Sequence, residues 1–97
     1  GADAGPELAS LLAANPWHEG QAERPGLLAL RLELIERLAR LLDPRTLPVL
    51  IAAYRAHPAP SPAEMLALSR ALVGFPDPRA QRALMDVARR FERPQIP

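Results

Sequence analysis

The chain has 97 residues, of which 48% are hydrophobic and 4% aromatic, and a formal net charge of +1. That is one domain near the small end of the usual range, burying about 60–65% of the surface its unfolded form exposes around an aliphatic core. The near-neutral charge gives no general drive toward nucleic acid or anionic membrane, the absence of Cys excludes disulfides and Cys-ligated zinc, and no apolar run reaches membrane-spanning length.

Leu and Ala dominate, both good helix formers, and no run of β-branched or aromatic residues reads as a strand. The fold class is therefore all-α, with four to five short antiparallel helices. All 12 basic residues are Arg, which reads as the codon bias of a GC-rich gene. No signal peptide is visible, so a cytoplasmic location is expected. Gly1-Ala2 reads as a cloning scar and the chain does not begin with Met, so it is either a whole protein or a piece of a longer one.

Residues 1–24 are the least regular segment. Gly5-Pro6-Glu7 starts a short helix ending near Ala14, with Leu8, Leu11 and Leu12 on one side. Asn15-Pro16-Trp17-His18-Glu19-Gly20 is turn chemistry. Trp17, the only Trp, either plugs the edge of the helical core or anchors a partner, a role in which Trp is over-represented.

Residues 25–42 form the strongest helix. Leu27, Leu30, Leu34, Leu38 and Leu41 make one stripe, and Leu28, Leu32, Ile35, Ala39 and Leu42 a second beside it. The arc is wider than a helix facing one core needs, so this helix lies between two others or gives its second stripe to another chain. Glu33/Arg37 and Glu36/Arg40 are i,i+4 pairs on a solvated face. Arg31 falls inside the apolar arc; its stem is expected to snorkel out past Leu27 and Leu28, the other reading being a carboxylate partner.

Residues 44–57 follow, with Leu47, Leu50, Ile51 and Tyr54 on one face and Pro48 bending the start. Residues 62–73 carry Met65, Leu68, Ser69 and Leu72, and Gly74 is expected as a left-handed C-cap. Residues 78–92 are expected to turn Ala80, Ala83, Leu84, Val87 and Phe91 inward, with Arg82, Asp86, Arg89, Arg90 and Arg93 outward. Residues 93–97 read as a frayed tail.

The chain repeats itself. Asp43-Pro44-Arg45 returns as Asp77-Pro78-Arg79, 34 positions on (77 − 43). Each is a helix start: Asp at the N-cap accepts from a free backbone N–H, and Pro loses nothing in the first turn. Ser61-Pro62-Ala63-Glu64 is a third start, with Ser and Glu spaced for a capping box. At the same offset Leu32/Leu66, Leu34/Leu68, Leu38/Leu72, Ala39/Val73, Leu41/Phe75, Val49/Ala83, Leu50/Leu84, Ile51/Met85 and Ala53/Val87 are apolar in both copies.

This order of helix, Asp-Pro-Arg, helix containing Pro, turn, and helix ending in Gly-Phe resembles HEAT-like repeats of the short type found in bacteria and in phycobilisome-lyase-type proteins. The segment from Asp43 to Ile51 looks like the first helix of such a repeat, and Ala67 to Phe75 like its second. The resemblance covers residues 25–92, which it makes a HEAT-like domain: 43–75 one unit, 25–42 the second helix of the unit before, 78–92 the first helix of the next. The departures are Ser61 where the family has Asp, Glu64-Met65 where it has Val-Arg, and a longer proline-rich turn. Helical hairpins forming a small α-solenoid or an ordinary bundle both remain open.

No catalytic, cofactor or metal site is implied. His18 and His57 have no partner at ligand spacing, Asp43 and Asp77 are engaged as caps, and Ser10, Ser61 and Ser69 lack a nucleophile motif. The expected function is a non-catalytic protein-interaction module, adaptor or scaffold. The resemblance implies binding on the surface of the second helices, through Arg31, Leu32, Glu64, Ala67 and Arg70, with Trp17 as an added anchor and self-association through residues 25–42. The alternative is a nucleic-acid-binding module using Arg79, Arg82, Arg89, Arg90 and Arg93, opposed by Asp86 within that row and by the lack of stacking aromatics.

Overall fold

A computed structural model describes residues 4–15, 25–56 and 60–92, the last two of them in backbone only. Trp17, His18, His57 and Arg93, the side chain of Phe91 and the tail 93–97, for which the sequence raised expectations, lie outside the described residues or side chains. Among the described residues the chain is all-helical, without strands, in five helices: α1 Ala4–Ala14, α2 Pro25–Leu41, α3 Leu47–Tyr54, α4 Pro62–Val73 and α5 Pro78–Glu92.

The helices sort into two layers. In one, α1 packs on α3 and α3 on α5; in the other, α2 packs on α4. Contacts of α1 with α2, α3 with α4, and α4 with α5 join the layers. The thinnest dimension of the molecule, 16 Å, is what two layers need, since axes 8–10 Å apart plus a Cα cylinder about 4.6 Å wide come to about 13–15 Å. The core between them is aliphatic: Ile35, Leu38, Leu47, Leu50, Leu68 and Leu72 are fully buried. The short α3 is apolar almost all round because α1, α4 and α5 all touch it. In α5 Ala80, Ala83 and Val87 are buried on one side, while Met85 stands exposed on the other.

Both Asp-Pro-Arg tripeptides adopt the same geometry. Asp43 Oδ1 accepts from the Arg45 backbone N–H at 2.9 Å, and Asp77 Oδ1 from that of Arg79 at 2.8 Å. Each guanidinium then closes on its own carboxylate, Arg45 Nη2 at 2.8 Å from Asp43 Oδ2 and Arg79 Nη2 at 3.0 Å from Asp77 Oδ2. A cap is local chemistry, which is why two distant tripeptides fold alike.

Three expectations are corrected. The helix expected over 44–57 begins as a 3₁₀ turn, Pro44–Thr46, and becomes α-helical only over Leu47–Tyr54. Pro48 has no N–H to return to Pro44, so the first turn tightens, and the Leu47 N–H bonds to the Pro44 carbonyl instead. Gly74 is not left-handed: its φ is −72°, and α4 ends in short turns from Gly74 N–H to Ala71 O and Phe75 N–H to Leu72 O. The left-handed residue is Leu42, at φ 49°. Asp43 is held extended as a cap and as the residue before a proline, so the reversal after α2 falls on Leu42. Its counterpart in the second copy is Pro76, whose ring forbids that conformation, and α4 accordingly stops earlier. The third correction concerns the capping box. Ser61 Oγ accepts from the Glu64 N–H at 3.3 Å, but the Glu64 carboxylate does not reach back to Ser61.

Gly5 has a role no local pattern signalled. A Cβ there would stand 2.7 Å from Asp43 Oδ2, so only glycine lets α1 approach the cap at the head of the 3₁₀ turn this closely.

Candidate interaction surface

Glu64 is fully buried and Arg31 is 3% exposed. The Arg31 Nε donates to Glu64 Oε1 at 2.6 Å and Nη2 pairs with the same oxygen. The Nη1 donates to the Leu12 carbonyl at 3.1 Å and to the Asn15 carbonyl. The side chain thus ties α2 to α4 and to the end of α1, adding a donor to the Leu12 carbonyl, which also accepts from the Asn15 backbone N–H at 3.3 Å, and reaching the Asn15 carbonyl just past the helix. Snorkelling is overturned, and so is the placing of Arg31 and Glu64 on a partner-facing surface. Glu64 Oε2 is buried with no hydrogen-bond partner, so the pair is satisfied on one side only.

The remaining residues expected on the α2–α4 surface divide. Leu32 and Ala67 are half-buried, and Arg70 is exposed. On α2 the exposed leucines are Leu30 and Leu41. On α4, Leu66 and Val73 are 53% and 71% exposed, whereas their repeat counterparts Leu32 and Ala39 are half-covered.

The concave surface lies in the other layer. Two grooves run along α3, sharing Pro48 and Ala52 as the low ridge between them. The groove toward α1 has a volume of about 390 Å³ and is walled by Leu12, Ala13, Val49 and Ala53, with Arg31 at its base. The groove toward α5, about 430 Å³, has Ile51 beside that ridge and Arg55, Arg79 and Arg82 around it. Sequence reasoning missed both because they arise from the spacing of three helices far apart in the chain. No pattern within α3 alone gives them.

The arginine row of α5 is interrupted. Arg79, Arg82, Arg89 and Arg90 are exposed, but Arg79 is paired with Asp77 and Asp86 lies between, bound at 2.7 Å to Arg55 at the end of α3. Side-chain and then backbone hydrogen bonds from Arg45 hold the Asp43 carboxyl below its ordinary value, and those from Arg79 do the same for Asp77. Burial raises the Tyr54 phenol. A depressed carboxyl contributes stability that is fully present above its unfolded pKa and is lost as the pH falls through the folded one. The melting temperature is therefore expected to drop from about pH 4 downward. In a variant carrying Asp43→Asn and Asp77→Asn, which still caps but no longer titrates, that drop should be shallower in thermal melts. Equal drops in the two proteins would show that the caps are not the titrating groups.

Among the described residues no group of His, Asp and Glu is placed to hold a metal ion, and no helix is long and apolar enough to cross a membrane. The fold and surface define a class, a two-layer all-α protein with grooved helices and a buried ion pair. Comparison with protein-family models, curated proteins and solved structures found no match.

Proposed function

We propose that this chain is a non-catalytic protein-interaction module, an adaptor or scaffold built on HEAT-like helical hairpins. The observation that carries the reading is the pair of predominantly apolar grooves along α3. Their linings come from α1, α3 and α5 with Arg31 of α2 at the smaller one, a concavity of the size that takes side chains of a partner. The HEAT-like assignment draws support from the alternation of helices between layers and from the identical capping geometry of the two Asp-Pro-Arg starts. Because fold alone does not define function, the proposal rests on the grooves. It places the partner on the first-helix layer, not on the second-helix surface that the family resemblance implied.

A nucleic-acid module is the second reading, favoured by the exposure of Arg82, Arg89 and Arg90 along α5. Asp77 and Asp86 in the same row count against it, since each would face phosphate. Affinity capture from a cell lysate, with and without nuclease and read by mass spectrometry, separates the two. Capture of a protein that survives nuclease is the expected result. Capture that disappears with nuclease would replace the adaptor reading with the second one.

A further inference from the structure

We propose that the groove between α3 and α5 is a docking site for an acidic segment of a partner protein, one in which carboxylates flank an aliphatic side chain. The inference rests on the interaction-module reading and names the chemistry of the partner. The floor, Pro48, Ile51 and Ala52, is apolar, and the polar groups around it are three guanidinium groups, those of Arg55, Arg79 and Arg82. Two of them already answer a carboxylate of the same chain, Arg55 that of Asp86 and Arg79 that of Asp77, in exposed pairs. Such pairs hold little energy and exchange readily for an incoming carboxylate. Arg82 makes no hydrogen bond or salt bridge among the described residues, and Asp77 acts on it only through space. The rim therefore carries one more positive charge than its own aspartates neutralise. Planar guanidinium forks match carboxylates in a two-bond geometry, and the aliphatic floor takes the side chain between them. A phosphate backbone has no apolar element to offer that floor, and among the described side chains no aromatic lines the groove for base stacking.

The test is selection of peptides from a random phage-displayed library on the full chain, in parallel with an Arg82→Glu and an Arg82→Gln variant. Arg82 is exposed and without a side-chain partner among the described residues, so both variants are expected to keep the fold, checked by circular dichroism melts. Peptides enriched on the parent chain are expected to carry Asp or Glu flanking Leu, Ile or Val. Their affinity should fall by about tenfold or more on Arg82→Glu, less on Arg82→Gln, and should weaken with added salt. No enrichment over the Arg82→Glu variant, or enrichment of basic or uncharged peptides, overturns the proposal. So does binding of a duplex DNA oligonucleotide that Arg82→Glu abolishes. A nuclease-resistant partner retained by Arg82→Glu would sink this site while leaving the adaptor reading intact; the absence of any such partner would sink the adaptor reading itself.

Discussion

Replacing Glu64 by alanine is expected to cost about 3–5 kcal/mol of folding stability, because it leaves the Arg31 guanidinium charged and buried without its counter-ion. A domain of this size is held by only about 5–15 kcal/mol, so the variant should be largely unfolded on mild heating. The loss belongs to the broken pair and not to the pair's net worth. Removing both charges together, as Arg31→Met with Glu64→Leu, should recover at least half of it, since apolar replacements of a buried ion pair are often neutral or better. Recovery should stop short of complete, because Arg31 also serves the Leu12 and Asn15 carbonyls. Urea denaturation of Arg31→Met, of Glu64→Leu and of the double variant closes the cycle. Additive losses in the double variant would mean that Arg31 and Glu64 do not depend on each other. The pair also fixes register: it joins α2 to α4 and pins the end of α1, so its loss should loosen α1 against α3 and with it the wall of the smaller groove.

Leu50→Ala and Leu84→Ala are expected to differ sharply although the two leucines hold the same place in the repeat. Leu50 is fully buried on the inner face of α3, and truncating it opens a cavity costing about 2–5 kcal/mol. Leu84 is half-buried on α5, where solvent fills the space, and its loss should cost about 1 kcal/mol. The asymmetry follows from the two layers: α3 is flanked by α1 and α5 and backed by α4, whereas in the described chain no helix packs beyond α5. Equal costs in urea melts would contradict that placement of α5 at the edge of its layer.

The caps were legible in the sequence because a cap is decided within three residues. Asp43, Asp77 and Ser61 each accept the backbone bond their spacing implied. The helices were legible in existence and face, and less so in their ends. The stop of α2 depends on Leu42 absorbing a reversal imposed from Asp43-Pro44, and Leu is a residue that rarely takes that conformation. Arg31 was placed correctly inside the apolar arc of α2, but its partner stands 33 positions away (64 − 31). The overlooked signal was that Glu64 sits in line with Leu68, Ala71 and Leu72 of α4, a second charge of opposite sign in a second apolar arc. Two such misfits answer each other more economically than two snorkelling stems. Gly5 and the grooves were not legible, because each is a property of how α1, α3 and α5 lie against one another and not of any one of them.

The measurement that tests the interaction reading most directly is nuclease-treated affinity capture run side by side on the parent chain and on Ala52→Asp. Ala52 is exposed and lies on the ridge shared by both grooves, so the substitution puts a charge on the apolar surface without touching the core. A protein partner captured by the parent and lost by Ala52→Asp is the predicted result. A partner held equally by both would contradict the siting of the interaction on α3, and no partner on either would contradict the function itself.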